Sequence, residues 1–480
     1  MLFYNDISGV IPRQIGNLLN LEELILYSNI LKGPLPSSIS NLTRLTNFDL
    51  SHNSLSGIIP YRISNLTRLE FLDLSNNFLT GVIPHQIGNL LNLEQLSIPS
   101  NLLEGPLPSS IGNIIRLTSI QLFKNSLTGV IPHQIGNLTS LQLLDLSSNS
   151  LTGIISSSFL STNDIAYTAK NGNQLEGILP LSLINCSELL VLNVANNNLS
   201  DIFPHWLRML PSLRVLILRS NRFHGSIQDS LTNFSFSKLQ MVDLSHNDFT
   251  GLLPTEFFQN LKALKEEVGY DSEYFSYSVN LTIKDLELEF TKTVHMPIFT
   301  CVDLSDNGFH GEIPKVVGEL RLVLALNLSH NSLTGPIPPS FGNLAARESL
   351  DLSFNKLSGR IPSQLTNLTF LEVLRFWNNN LVGPIPQGKQ FDTFENDSYQ
   401  GNLGLCGLPL SKECSNDERS QQAQDEEDNG NGIAFFWKVA MMGYGCGMVL
   451  GISIAYIVFT TGRPWWLVRM IERDLQNKVS

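Results

Sequence analysis

Asparagine recurs with a fixed step along most of this chain, at Asn5, Asn29, Asn53, Asn77, Asn101, Asn125, Asn149, Asn173, Asn197 and Asn221, and every step is 24 residues. The ladder slips by two at Asn247, lapses, and resumes in the same step at Asn307, Asn331, Asn355 and Asn379. Around each asparagine the text is close to L-x-x-L-x-L-x-x-N-x-L-x-G-x-I-P. Leu69–Pro84 follows that pattern, and Leu141–Ile155 follows it until Ser156 replaces the proline. One such unit has an apolar side and nothing of its own to bury it against, so it is stable only when stacked on copies of itself. The register therefore favours one long array over the two or three globular domains that 480 residues would otherwise accommodate.

Position within the unit decides what each side chain does. Leucines eight, five and three residues before the asparagine point into the core from a short strand and its approach. Side chains seven, six, four, two and one before it face solvent on the inner curve. The asparagine amide sits buried at the following turn, where its donors and acceptor satisfy backbone groups of its own and the neighbouring coil. The glycine of G-x-I-P suits a backbone conformation that other residues disfavour, and the proline then fixes φ. These rules predict an α/β-type repeat solenoid. A curved parallel β-sheet lines its concave face, and 3-10 or short helical segments line its convex side.

Several kinds of chemistry are excluded. A net charge of −12 argues against a nucleic-acid binder, which carries a basic face. Five cysteines are too few for a disulfide scaffold. Cys406 and Cys414 lie close together near the end of the array and are the pair expected to be bridged, whereas Cys446 falls inside an apolar run. Asp49, Asp73, Asp145, Asp243, Asp303 and Asp351 repeat as a consensus residue on the strands, which explains them without catalysis. His52, His246 and His330 each precede a ladder asparagine and read as outward repeat variants without metal-ligand spacing. No enzyme activity, metal or cofactor is expected.

Between Pro254 and Phe299 the period fails. Clustered Tyr270, Asp271, Glu273, Tyr274 and Tyr277 are followed by alternating apolar residues, which suggest strand rather than helix. A degenerate repeat with a loop, or an inserted island, would each account for this. After Cys414, residues 415–432 are polar and acidic and read as a flexible stalk. Residues 439–461 carry no charge, and 23 residues of helix at about 1.5 Å each span a bilayer core of about 30 Å. Lys438 and Arg463 bracket that run. Arg469, Arg473 and Lys478 lie beyond it, and Asp425, Glu426, Glu427 and Asp428 before it. This bias places the repeats outside the cell and the C-terminus within. Trp465 and Trp466 sit where interfacial aromatics belong. The tail ends 19 residues after Thr461, too short for a kinase domain. Gly443, Gly447 and Gly451 make two overlapping G-x-x-x-G units, either a helix-pairing face or the ordinary abundance of glycine in membrane helices.

The L-x-G-x-I-P half-repeat resembles plant extracellular leucine-rich repeats. Asn197–Ile227 is similar to the last repeats before the island in plant leucine-rich-repeat receptor-like proteins, including the Cf-type resistance proteins. The tail GPIPQGKQFDTFENDSYQGNLGLCGLPLSKEC, Gly383–Cys414, is similar to that family's C-terminal cap. The family usually has Lys-Gly where Lys284 and Asp285 stand here. The resemblance implies repeats over 1–258 and 299–386, an island over 259–298, a cap over 387–414, a stalk over 415–438, a transmembrane helix over 439–461 and a cytoplasmic tail over 462–480. Met1 lies inside a repeat with no leader or cap before it, so an N-terminally truncated chain is expected.

The resemblance implies a plasma-membrane, single-pass type I receptor without a kinase domain. It would bind an extracellular peptide or protein ligand and signal through an adaptor receptor-like kinase paired at the membrane helix. Pathogen perception in plant defence comes first, developmental peptide signalling second. A secreted inhibitor of cell-wall-degrading enzymes and a non-functional fragment are the alternatives. Among inner-face residues departing from the repeat, Tyr27, Gln95, Phe123, Lys124, Arg214 and Arg219 are the ligand-binding candidates, with Arg375 and Trp377 of the same kind and Tyr270 and Tyr274 in the island. Exposed aromatics and arginines are enriched at interface hot spots, although drift at solvated positions also produces them. Glycosylation is expected at Asn41, Asn65, Asn137, Asn185, Asn198, Asn233, Asn280, Asn367 and Asn396. Asn327 is also a sequon, but a sugar on the strand face would obstruct the inner curve. Thr168, Lys170 and Arg347 occupy leucine positions and mark irregular repeats.

Overall fold

The computed structural model describes residues 2–157, 165–227, 236–266 and 299–414, together with the backbone of 277–283 and 286–292. Met1–Lys412 form one unit, a stack of coils. Fourteen strands, from Glu23–Ile25 to Val373–Arg375, make one parallel sheet in which each strand pairs with that of the next coil. Phe71, Leu72 and Asp73 pair with Gln95, Leu96 and Ser97, one period on. On the far side of most coils the proline of I-P leads into a five-residue 3-10 helix, as Pro60 does for Tyr61–Asn65. Between the layers lies one continuous core, in which Leu66, Leu69, Leu72, Leu74 and Leu79 are fully buried.

The ladder asparagine stitches this stack together. Asn77 Nδ2 donates to the carbonyl of Leu50 in the preceding coil at 3.0 Å and to those of Leu74 and Ser75 at 3.2 and 3.1 Å. Its Oδ1 accepts from Leu55 N–H at 2.9 Å. Asn77→Ala removes all four and strands buried backbone groups, so the coil should lose about 2–3 kcal/mol. Hydrogen exchange at Leu55 and its neighbours reads that loss, and unchanged protection would refute the role.

A second parallel layer was not expected from the repeat. The segment after each asparagine is itself a strand, and these form a nine-stranded sheet from Ser8–Gly9 to Asn198–Leu199 and a seven-stranded one from His224–Ser226 to Gly404–Cys406. Each strand turns on its glycine, Gly57 for example with φ of 77°. One inner-face assignment is corrected as well. The residue two before the asparagine, most often serine, is buried: Ser51, Ser75, Ser147, Ser245, Ser305 and Ser353 all are. The aspartate two residues earlier captures it, as Asp303 Oδ1 accepts both the N–H and the hydroxyl of Ser305 at 2.9 and 2.6 Å.

Where the period lapses, the stack does not. Met241–Asp243 pairs directly with Cys301–Asp303, so the two coils flanking the lapse are neighbours in the sheet. An α-helix at Thr255–Asn260 and a 3-10 turn at Lys262–Leu264 bury Phe258, Leu261 and Leu264 in the core. Beyond them, Tyr277–Ile283 and Leu286–Lys292 form an antiparallel hairpin. No helix among the described residues is long and apolar enough to cross a membrane, and residues 439–461 lie outside them.

Candidate ligand-recognition face

Alternation along each strand of the large sheet sends the residues six and four before the asparagine out of its open face. In the first coils these are mostly polar: Glu23, Asn47 and Asp49, Gln95 and Ser97, Ser119 and Gln121. The column six before the asparagine then becomes apolar over seven consecutive coils, Leu143, Tyr167, Val191, Val215, Met241, Cys301 and Ala325. With Ala169 and Ile217 they pack into an apolar cluster separate from the main core, in which Val215 and Ile217 are fully buried.

At the C-terminal end of this tract lies a cleft of about 190 Å³. Cys301, Ala325 and Asp303 border it, with Arg219, Asp351, Arg375 and Trp377 around them. Asp243 and Asp303 are side by side in register on adjacent strands, and both carboxyls titrate above the usual range. Burial is the main cause for each. For Asp303, raised to about 7, Asp243 adds to it, while Ser305 and Asn327 act in the opposite direction. The charge of Arg219 opposes the rise at Asp243. On the rim, Asp306 lies between His246 at 3.3 Å and His330 at 3.8 Å. His330 stacks on Phe354 with centroids 4.1 Å apart, and Phe354 meets Trp377 edge-on at 5.6 Å. Arg375 reaches Asp351 at 3.5 Å. The cleft therefore offers paired charges of both signs beside an aromatic edge and an apolar floor. No group of histidine, cysteine and acidic side chains placed to hold a metal occurs among the described residues.

The structure brings Arg219, Arg375 and Trp377 together here and leaves the other candidates apart. Tyr27 stacks on Phe3 at 5.0 Å, many coils toward the N-terminus. Gln95 and Lys124 are exposed, and Phe123 and Arg214 half-buried, on coils outside the cleft. Tyr270, Tyr274, Gly443, Gly447, Gly451 and Asn233 lie outside the described residues, and the side chain of Asn280 likewise. The apolar column and the His246–Asp306–His330 cluster escaped the residue-by-residue reading. Aligning the coils by position, rather than searching for single departures from consensus, makes both visible.

Asn41, Asn65, Asn137, Asn185, Asn198, Asn367 and Asn396 are exposed, five of them at the ends of 3-10 helices on the far side of the coils. The Asn327 amide is engaged at both ends, donating to Asp303 Oδ2 at 3.1 Å and accepting from Ser329. Cys406 and Cys414 are both disulfide-bonded, and Cys186 and Cys301 are buried thiols.

Leucine rich repeat family models match residues 43–103 and 171–223, and, as single repeats, 20–42, 140–161, 238–260, 323–344 and 348–368. Receptor like protein 22 of Arabidopsis thaliana is 50% identical over 279 residues, 55% of this chain and 36% of that protein. Receptor-like protein 9DC3 of Solanum pimpinellifolium is 52% identical over 248 residues, 49% of this chain and 28% of its own. The chain thus spans about a third of the length of the curated relatives it matches. Among solved structures, that of PEPR1–AtPEP1 superposes with a TM-score of 0.69 at 28% identity, over 85% of this chain and 56% of that one. The Arabidopsis receptor kinase HAESA, in complex with the peptide hormone IDA and the co-receptor SERK1, matches with a TM-score of 0.54 at 29% identity, over 84% and 78% of the two chains. With the asparagine ladder, the stacked parallel coils and these matches in agreement, the chain belongs to the plant leucine-rich-repeat receptor-like protein family.

Proposed function

We propose that this chain recognises an extracellular peptide or protein ligand on its concave sheet and passes the signal to a partner receptor kinase. The observation carrying this reading is the cleft on the concave face, where side chains from several coils bring charges of both signs beside an aromatic edge. The similarity to a receptor kinase solved with a peptide hormone and a co-receptor supports the same use of the fold. Residues 439–461 would anchor the repeats outside the plasma membrane, and the ligand would be pathogen- or damage-derived.

Leaves expressing the full chain, challenged with microbial culture filtrate and with wash fluid from wounded leaves, test the reading. Arg219→Ala with Trp377→Ala should abolish a response that the unaltered chain confers, and retention of the full response would reject the cleft. Recovery of the chain in soluble extracellular fluid would reject the anchor. Replacing Gly443, Gly447 and Gly451 together by Leu should remove about 1 kcal/mol of helix packing, roughly a fivefold loss of a co-expressed receptor kinase in co-precipitation. Undiminished recovery would reject pairing through that face.

A further inference from the structure

The nine-stranded lateral sheet carries an apolar ridge that neither the stacking of the coils nor the concave site uses. Five residues after each asparagine stand Val10, Pro34, Ile58, Val82, Pro106, Val130, Ile154, Ile178 and Ile202, one per coil over nine coils without a break. The valines and isoleucines are between 52% and 63% exposed. On a neighbouring outward row, Ile30, Phe78 and Leu102 are exposed to the same degree. Past Ile202 the column changes to Ser226, Leu252, Glu312, Pro336, Arg360 and Pro384, so the fold accepts polar and charged residues at this position. The three outward rows of the nine coils contain only Asp6, Lys32, Glu104 and Glu176 as charges, and the single sequon on them is Asn198, on the last strand. The ridge is also rigid. From Val10 to Ile154 each side chain lies over the glycine of the next coil; a Cβ on Gly105 would fall 2.8 Å from Val82 Cγ1 and one on Gly153 2.9 Å from Val130 Cγ1.

We propose that this ridge is a docking surface for a second copy of the chain, set antiparallel about a two-fold axis at Pro106, the middle coil of the nine. Adjacent strands are about 4.8 Å apart, and a partner of any other periodicity would drift out of phase along so long a row. A second copy has the identical spacing. About the two-fold, Val82 faces Val130, Ile58 faces Ile154 and Val10 faces Ile202 in an isologous contact. The half-exposed side chains provide roughly 800 Å² per copy, the share each partner contributes to a standard stable interface. Charge on these rows is scarce: about the same axis Lys32 meets Glu176, and Glu104 is the one charge that faces its own copy.

The full chain, purified in detergent, should show twice its monomer mass by light scattering at micromolar concentration. It should still do so after Gly443, Gly447 and Gly451 are replaced by Leu, which separates this contact from any at the membrane helix. Ile58→Glu, Val130→Glu and Ile154→Glu together should halve the mass and leave the melting temperature unchanged, since Glu312 occupies the same position in a later coil. Under copper-catalysed air oxidation, Pro106→Cys should cross-link to itself at least tenfold faster than Ile202→Cys. A monomeric unaltered chain, a dimer indifferent to the three glutamates, or equal cross-linking at 106 and 202 would each overturn the proposal.

Discussion

Replacing Arg347 by Leu should stabilise the C-terminal coils by roughly 3–5 kcal/mol. Arg347 stands eight residues before Asn355, where other coils have Leu69, Leu93, Leu117, Leu141, Leu189, Leu213 and Leu371. It is fully buried, and its Nε, Nη1 and Nη2 meet no hydrogen-bond acceptor among the described residues. Burial pulls the guanidinium from 12.5 down to about 9, only weakly opposed by Cys301. At pH 7 the group therefore still carries its proton, and a charge sits in an apolar core with nothing to offset its lost hydration. Leucine removes that penalty and restores the shape the neighbouring coils present. Because coils of a solenoid contribute as neighbours rather than as one cooperative block, the gain should be local. Hydrogen exchange should slow across the strands Ala325–Asn327 to Val373–Arg375, and the last melting transition should move up by several degrees. Arg62→Leu, on an exposed helix, should change neither. A lower melting temperature for Arg347→Leu would mean the guanidinium has a partner worth more than its desolvation.

How far the sequence discloses this molecule depends on which forces act along the chain and which act across coils. The ladder asparagines, the buried leucines and the 3-10 turns after I-P are legible because each satisfies a need within one 24-residue unit. The lateral sheet is not, since Ser54–Ile58 becomes a strand only when Phe78–Gly81 is stacked beside it to complete its hydrogen bonds. The burial of Ser245 and Ser305 is hidden for a similar reason. A hydroxyl reads as solvent-facing until the aspartate two residues before it folds over and binds it. The concave tract is written in the sequence, but down a column and not along a row. Arg219, Arg375 and Trp377 are conspicuous one at a time, yet only the stacking of the coils from Asn221 to Asn379 brings them to a common cleft. Thr168 and Lys170 look like independent lapses from leucine. In the folded chain they meet, the ammonium of Lys170 donating to the Thr168 hydroxyl in the core, so that each lapse partly relieves the other.

That relief is incomplete, and pH exposes the remainder. Lys170 is buried to 1% exposure, and burial lowers its pKa from 10.5 to about 7 against the smaller pull of Cys186 and Asp145. Between those two values the unfolded chain holds a proton that the folded chain has released. Stability therefore rises with pH there, by about 1.4 kcal/mol per unit, and flattens below pH 7 and above 10.5. The thiol of Cys186, pushed up to about 11, works in the opposite sense only above its ordinary value of 9, which leaves pH 7 to 9 as the window in which Lys170 dominates its coil. Over that window the coils around Asn173 should gain about 3 kcal/mol. Thr168→Leu with Lys170→Leu, which restores both consensus leucines and leaves no orphaned hydroxyl, should abolish the slope and raise stability most at pH 7. Hydrogen exchange at Leu151, whose N–H is held by Asn173, measures the coil directly. After correction for the intrinsic pH dependence of exchange, protection that is flat from pH 7 to 9 in the unaltered chain would show that Lys170 keeps its proton in the core. The pairing with Thr168 would then fully compensate its burial.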